Sequence, residues 1–100
     1  MNSRSRLSEK DAVKVSRALG HATRYQIVCM LLERGEVACS TLNEMLPLSA
    51  PALSHHFKVL EECGLMEVRR KGAYHFFRLN VRRLEQVVPG FSRIRSGPRQ

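Results

Sequence analysis

The sequence lacks any apolar run as long as the roughly 20 residues that a membrane-spanning helix requires. Its first six residues are polar and are not followed by an apolar segment, so no signal peptide is predicted. Its three cysteines, an odd number at irregular spacing, do not form the paired framework of a secreted disulfide-rich protein. These absences predict a cytoplasmic protein that has no membrane partner.

The sequence also contains little that would support catalysis. It has no nucleophile beside a general base, no pair of acidic residues at catalytic spacing and no glycine-rich phosphate-binding loop. We therefore predict that the protein is not an enzyme and that it uses no cofactor.

Acidic residues are scarce. Nine Asp and Glu residues accompany 17 Lys and Arg residues, which gives a formal net charge of +8. The excess is uneven, because residues 66–100 contain nine of the basic residues but only Glu67 and Glu85 as acidic ones. Such a charge favours an anionic partner, nucleic acid before a membrane surface. A solvated basic tail is the alternative interpretation.

One hundred residues make a single compact domain, whose small core would gain stability from a partner subunit. Caps and apolar periodicity predict five helices. They run from Ser8 to Gly20, over residues 23–34 and 39–46, from Ser49 to Gly64, and over residues 80–88. We expect a domain over residues 8–88, with dimerisation helices at both ends, a flexible N-terminus over residues 1–7 and a basic mobile tail over residues 89–100.

An extended segment lies between the fourth and fifth predicted helices. Residues 65–70 and 73–79 flank a Lys71-Gly72 turn and predict a β-hairpin. The hairpin contains three aromatic residues, Tyr74, Phe76 and Phe77, which we expect to pack within it rather than to form a base-stacking platform. The fold class is therefore mainly α with a β-hairpin wing, a winged helix-turn-helix of four helices, two strands and a fifth helix.

The third and fourth predicted helices have helix-turn-helix proportions. The fourth is amphipathic, and Ser49 caps it with Pro51 in its first turn. The N-terminal residues of such a helix can contact base edges in the major groove, and the basic hairpin can contact phosphates. The predicted DNA-binding residues are Ser49, Ala50, Pro51, Ser54, His55, His56 and Lys58 on the helix and Arg69, Arg70 and Lys71 on the hairpin.

Three motifs resemble those of the arsenic-repressor (ArsR/SmtB) family of winged-helix regulators. They are His21-x-Thr23-Arg24, the stretch Ser49-x-Pro51-x-x-Ser54-x-His56, and Leu60-x-x-x-Gly64-Leu65 before a basic hairpin. The resemblance covers residues 18–80. It implies a homodimer paired through its first and last helices, an imperfect palindromic operator in double-stranded DNA, and release by an inducer.

The resemblance also implies where His56 lies, beside the DNA backbone; a partly buried structural histidine is the alternative. The sequence departs from the family at Ala22, where proline is frequent, and at His55, where arginine is common. The second change removes a fixed positive charge from the recognition helix and leaves Lys58 as its fixed cation. The base that the helix recognises therefore cannot be taken from the family pattern.

The metal sites that the resemblance would suggest are missing. The family's Cys-x-Cys positions align with Ala38 and Ser40, and residues 80–86 of the last helix include no histidine and two arginines. The four histidines, including His21 and His75, show no metal-ligand spacing with the cysteines. His55 and His56 point about 100° apart on a helix and cannot chelate one ion together. We predict no metal site, and we expect His21 to bond nearby backbone at the start of a helix.

Thiol sensing remains open as an alternative. Cys29 and Cys63 fit small buried hydrophobic positions, but oxidation, persulfide exchange or arsenite binding would also use thiols. Cys29 resembles by position a cysteine of a redox-sensing branch of the family, whose second cysteine is absent here. Cys39 is the better reactive candidate, because a helix N-terminus favours a thiolate.

We predict a homodimeric, sequence-specific repressor that binds double-stranded DNA and responds to an inducer bound outside the usual metal sites. The alternatives are a winged-helix module that binds proteins instead of DNA, an RNA-binding protein, and a repressor that responds to thiol chemistry.

Overall fold

The computed structural model describes residues 7–96, and the remainder of the predicted flexible N-terminus and of the predicted tail lies outside this range. Its elements are α1 (Glu9–Leu19), α2 (Ala22–Arg34), β1 (Val37–Ala38), α3 (Cys39–Met45), α4 (Ala50–Glu62), β2 (Met66–Lys71), β3 (Tyr74–Leu79), α5 (Val81–Val87) and α6 (Phe91–Ser96). The winged helix-turn-helix prediction is confirmed, with one strand and one helix added. In residues 7–96 no helix is long and apolar enough to cross a membrane.

Side-chain caps begin the helices where the sequence predicted them. The Ser8 hydroxyl accepts a hydrogen bond from the Asp11 amide at 3.1 Å, and the Ser49 hydroxyl accepts one from the Ala52 amide at 3.3 Å. Each bond satisfies an amide that has no partner within its helix. The two caps therefore determine the first residues of α1 and α4.

The helix α4 ends before a glycine, and a side chain of α5 caps its C-terminus. Gly64 has a φ of +85°, a conformation that residues with a Cβ rarely adopt. A Cβ at this position would lie 2.6 Å from the Arg83 side chain, which donates to the Cys63 carbonyl at 3.1 Å. Glycine at this position therefore lets the Arg83 side chain of α5 reach the carbonyl at the end of α4.

The sheet is antiparallel, with strand order β1-β3-β2. Phe77 of β3 lies between Val37 of β1 and Val68 of β2, and its ring centroid is 4.7 Å from that of Phe57 on α4. β1 was not predicted, because two residues cannot display the alternating pattern by which strands are recognised. Phe77 thus packs the centre of the sheet against α4, and Val37, Met66 and Leu79 are buried in the same core.

The core lies among the six helices and the inner face of the sheet. The predicted apolar side of α4 is buried as expected, with Leu53 and Leu60 fully enclosed and Phe57 nearly so. Burying a leucine side chain contributes about 1.5–3 kcal/mol. Nine side chains are the largest that are fully buried: Val15, Ile27, Val28, Leu31, Leu42, Leu53, Leu60, Leu65 and Leu84.

The predicted mobile tail over residues 89–100 needs correction, because residues 91–96 form α6. Phe91 is buried, and its ring centroid lies 5.6 Å from that of Tyr25 on α2. The Glu85 carboxylate accepts hydrogen bonds from the amides of Gly90 and Ser92, both at 2.8 Å. Composition alone suggested a mobile tail, but one apolar anchor and one carboxylate acceptor hold its first part against the domain.

Candidate nucleic-acid interface

The N-terminal half of α4 presents a polar side to solvent. Leu53, Phe57 and Leu60 face the core, which turns the opposite side of the helix outward. Six of the predicted DNA-binding residues are exposed on or next to this helix: Ser49, Ala50, Pro51, Ser54, His55 and Lys58. Hydroxyl and imidazole groups can hydrogen-bond to base edges. This side of α4 can therefore enter a major groove without disturbing the core.

His56 does not belong to that exposed side, which corrects its predicted place among the DNA contacts. It is 8% exposed, and its Nδ1 lies 3.1 Å from Nη1 of Arg24. Arginine can only donate, so Nδ1 accepts and the ring proton is on Nε2. Burial lowers the pKa of His56, and the neighbouring charges of His21, Arg24 and His55 lower it further. This environment fits a partly buried structural histidine, the alternative that the sequence left open.

Arg24 connects three helices around His56. Besides its contact with His56 on α4, its Nε donates to the Ala18 carbonyl near the end of α1 at 2.9 Å. His21 caps α2 by accepting from the Thr23 amide at 3.2 Å, as predicted, and its ring centroid lies 4.6 Å from that of His56. The sequence motif contained these residues, but it did not reveal that Arg24 and His21 both contact His56 on α4.

The wing has fewer available cations than the sequence suggested. Arg70 and Lys71 are exposed at the tip of the hairpin, next to the turn at Gly72. Arg69 instead forms a bidentate pair with Glu36, with both N–O distances 2.8 Å, and lies 5.0 Å from the Phe76 ring centroid. Arg69 therefore attaches the wing to the segment before β1, and its partner lies too far away in sequence to be predicted.

The charges of that pair are coupled. The hydrogen bond from Arg69 holds the pKa of Glu36 below its ordinary value, and the same bond raises the pKa of Arg69. On the wing, Arg78 pairs with Glu67 at 3.0 Å. Both pairs are at least partly exposed to solvent, which limits their contribution to stability. Their effect on the site is to leave Arg70 and Lys71 as the wing cations without a carboxylate partner in residues 7–96.

The three aromatic residues of the hairpin have different environments. Phe77 is buried and Phe76 is half-buried beneath Arg69, as hairpin packing predicts. Tyr74 is 67% exposed near the tip of the wing, so for this residue the packing prediction was wrong. Its position opposite Lys71 at the end of the strand pair leaves it without a core to contact.

The cysteines are not disulfide-bonded, and they differ in accessibility. Cys29 and Cys63 are buried, and burial raises the pKa of the Cys63 thiol, which donates to the Leu60 carbonyl at 3.4 Å. Cys39 is half-buried, and its sulfur accepts from the Asn43 amide group at 3.5 Å. Within residues 7–96, no group of three or more histidine, cysteine or acidic side chains is arranged to hold a metal ion.

Comparison with known proteins identifies a family of regulators. Residues 21–68 match the family model described as bacterial regulatory protein, arsR family. The chain is 35% identical over 83 residues to the biofilm growth-associated repressor of Xylella fastidiosa, covering 80% of this chain and 72% of that protein. It is 32% identical over 82 residues to the arsenical resistance operon repressor of Staphylococcus aureus, covering 82% and 78%.

Solved structures agree with these relatives. The structure of HlyU from Vibrio cholerae superposes with a TM-score of 0.69 at 28% identity, covering 84% of this chain and 95% of that one. The structure of the transcriptional repressor BigR from Xylella fastidiosa superposes with a TM-score of 0.67 at 28% identity, covering 83% and 85%. The similarity therefore extends over nearly all of the described domain.

Proposed function

Because this chain belongs to the ArsR family of bacterial regulatory proteins, we propose that it is a homodimeric repressor that binds a palindromic site in double-stranded DNA. The family resemblance carried by the sequence motifs is confirmed, and the chain is a transcriptional regulator and not an enzyme. The dimer, the palindromic operator, the inducer and a cytoplasmic location are the parts that we propose.

The exposed N-terminal half of α4 is the observation that carries the proposal. Ser54 and His55 are presented to solvent on a helix whose opposite side is anchored by Leu53 and Phe57. A rigid helix with free hydrogen-bonding groups near its N-terminus suits direct contact with base edges. In this proposal Ser54 and His55 recognise bases, while Ser49, Ala50, Pro51 and Lys58 contact the surrounding groove and backbone.

The wing supplies affinity that does not depend on sequence. Arg70 and Lys71 lie at the tip of a hairpin and have no carboxylate partner within residues 7–96, so they can contact phosphates on either side of a groove. Arg69 contributes indirectly by holding the hairpin to Glu36. This division of roles predicts that changes on the wing and on α4 have different consequences for binding.

Exposed apolar side chains support a homodimer. Val13 of α1 is 47% exposed and Val81 of α5 is 41% exposed, and these two helices pack against each other. They are the helices through which the family resemblance implies pairing. A two-fold dimer would place its two α4 helices about 34 Å apart, one turn of the duplex.

The inducer is proposed to bind outside the two usual metal sites. Ala38 and Ser40 offer a methyl and a hydroxyl in place of thiolates, which a soft metal ion would not select. A thiol response is the second candidate, and the greater accessibility of Cys39 than of Cys29 or Cys63 favours it. Release of DNA by arsenite or a persulfide, measured on wild type and on Cys39→Ser, would separate the two candidates.

Selection from a random duplex library, followed by binding measurements on the selected duplex, tests the proposed function. We expect retention of one palindromic sequence, a complex of two protomers per duplex, and a dimer by sedimentation at micromolar concentration. Stronger retention of structured RNA would favour the RNA-binding alternative. Absence of any selected duplex at low salt would favour a module that binds proteins, and a stable monomer would contradict the dimer.

A further inference from the structure

A cleft lies between α1, α2 and α4, the helix proposed to recognise DNA. Among the residues that line it, His55 is the one that we also propose as a DNA contact. Its volume is ≈ 340 Å³, within the range of small-molecule sites in proteins. Its apolar lining comes from Ala18, Val59 and Cys63, one residue on α1 and two at α4. Such a cleft can take the apolar part of a small organic molecule.

The rim of the cleft is positively charged. Lys14 and Arg17 of α1 and Arg24 of α2 line it, together with one acidic residue, Glu62. In the part of the chain that the structure describes, none of these side chains belongs to an ion pair. Three cations against one carboxylate leave an excess positive charge beside an apolar floor. This combination favours a ligand that has an anionic group and an apolar body.

Arg24 is already oriented for an anion. Its guanidinium is held by the Ala18 carbonyl and by Nδ1 of His56, and these contacts leave some of its N–H donors unused. An arginine whose position is determined before binding loses less conformational freedom when a carboxylate or phosphate arrives. Lys14 and Arg17, one turn apart on exposed helix surface, can add charge without rearrangement of the core.

We propose that this cleft binds a small organic anion and that the bound anion weakens DNA binding. The coupling rests on the proposed function and runs through His55, which lines the cleft and also belongs to the proposed recognition side of α4. A ligand that engages His55 competes with its use on DNA. Linkage then requires DNA to weaken ligand binding by the same factor.

The proposal that the cleft binds an anion is tested without DNA. The probes are the fluorescent anion 8-anilinonaphthalene-1-sulfonate and its neutral analogue N-phenyl-1-naphthylamine. We expect one molecule of the anionic fluorophore to bind per protomer, and we expect the neutral analogue to bind much more weakly. Arg17→Gln should lower the affinity for the anion about fivefold, and Glu62→Gln should raise that affinity about threefold, as expected for exposed charges. Arg34→Gln, which removes a cation outside the cleft, is the matched control and should change nothing.

Displacement by octanoate and by octyl phosphate, with octanol as the neutral control, distinguishes a carboxylate ligand from a phosphate ligand. Equal binding of the neutral and anionic fluorophores, or identical affinities in all three variants, would overturn the anion site. If the fluorophore binds as expected but does not change the affinity for the selected duplex, the coupling is overturned. If the fluorophore and its variants behave as expected but the protein binds no duplex, the proposed function is wrong and the anion site in the cleft is still supported.

Discussion

Nη1 of Arg24 on α2 donates to Nδ1 of the buried His56 on α4 across 3.1 Å, although the two residues are 32 positions apart in sequence. The contact joins the core helix to the helix proposed to recognise DNA. Because Arg24 also donates to Ala18 near the end of α1, one guanidinium determines how three helices meet. The orientation of α4 therefore depends on a residue that is not expected to touch DNA.

Replacing Arg24 with Gln should destabilise the domain. The change leaves the imidazole of His56 and the carbonyl of Ala18 without their donor, and an unsatisfied buried polar group costs about 1–3 kcal/mol. Urea denaturation of wild type and variant measures the loss in the free energy of unfolding. Arg34→Gln removes an equally charged but exposed side chain and serves as control. A loss no larger than that of the control would contradict the role given to Arg24.

The stability of the domain should fall when the pH drops below about 6.5, the ordinary pKa of histidine. The folded protein holds the pKa of His56 below that value, mainly through burial, so the unfolded chain binds a proton that the folded chain excludes. The contribution of neutral His56 to the free energy of unfolding is fully present above about pH 6.5. It is lost as the pH falls through the lowered pKa of His56 in the folded state.

Thermal unfolding followed from pH 7.5 to pH 5 measures this effect. His56→Gln keeps an acceptor for Arg24 but does not titrate, so its curve should be flatter than that of wild type. His75→Gln, at an exposed position on β3, should retain the wild-type slope. Glu36 and Glu85 have pKa values below their ordinary 4.5 and lose their contribution only at lower pH. Parallel curves for wild type and His56→Gln would refute the assignment.

The sequence was sufficient to predict most of the framework. Ser8 and Ser49 identify helix starts because capping is a local interaction, and the apolar side of α4 follows from its period. The interactions that it did not predict are long-range. The Arg69–Glu36 pair spans 33 residues, and the burial of His56 depends on Arg24 and His21 of another helix.

Short elements were missed for a different reason. β1 has two residues and α6 has six, so neither repeats its period often enough to be recognised from the sequence. α6 is held by Phe91 in the core and by the Glu85 carboxylate, and neither contact could be inferred from a segment rich in serine, glycine, proline and arginine. The pairing of Arg69 with Glu36 was not predicted, because ion pairing is a tertiary property.

Wing substitutions should separate free cations from paired ones. Arg70→Ala and Lys71→Ala should each reduce the slope of log affinity against log salt by about one unit per lost phosphate contact, or about two per dimer. Arg69→Ala should leave the slope nearly unchanged, because its guanidinium contacts Glu36. Fluorescence anisotropy at several salt concentrations measures the slopes. An equal change for all three variants would show that Arg69 also contacts phosphate.

Substitutions on α4 should affect specificity instead. Ser54→Ala or His55→Ala removes a group proposed to contact a base edge, and each should lower the preference for the selected duplex by about 1–3 kcal/mol. Affinity for a scrambled duplex should change little. The ratio of the two dissociation constants at one salt concentration is the measurement. If Ser54→Ala and Arg70→Ala lower both affinities equally, the separate roles of helix and wing are wrong.

The salt dependence of binding by the wild-type protein tests the central claim most directly. A dimer that places Arg70 and Lys71 of both protomers on phosphates releases counterions, so affinity for the selected duplex should fall steeply and linearly on a logarithmic plot. We expect the slope to correspond to at least the contacts of these wing residues in both protomers. No binding to any duplex at low salt, or an affinity that does not respond to salt, would contradict a DNA-binding repressor.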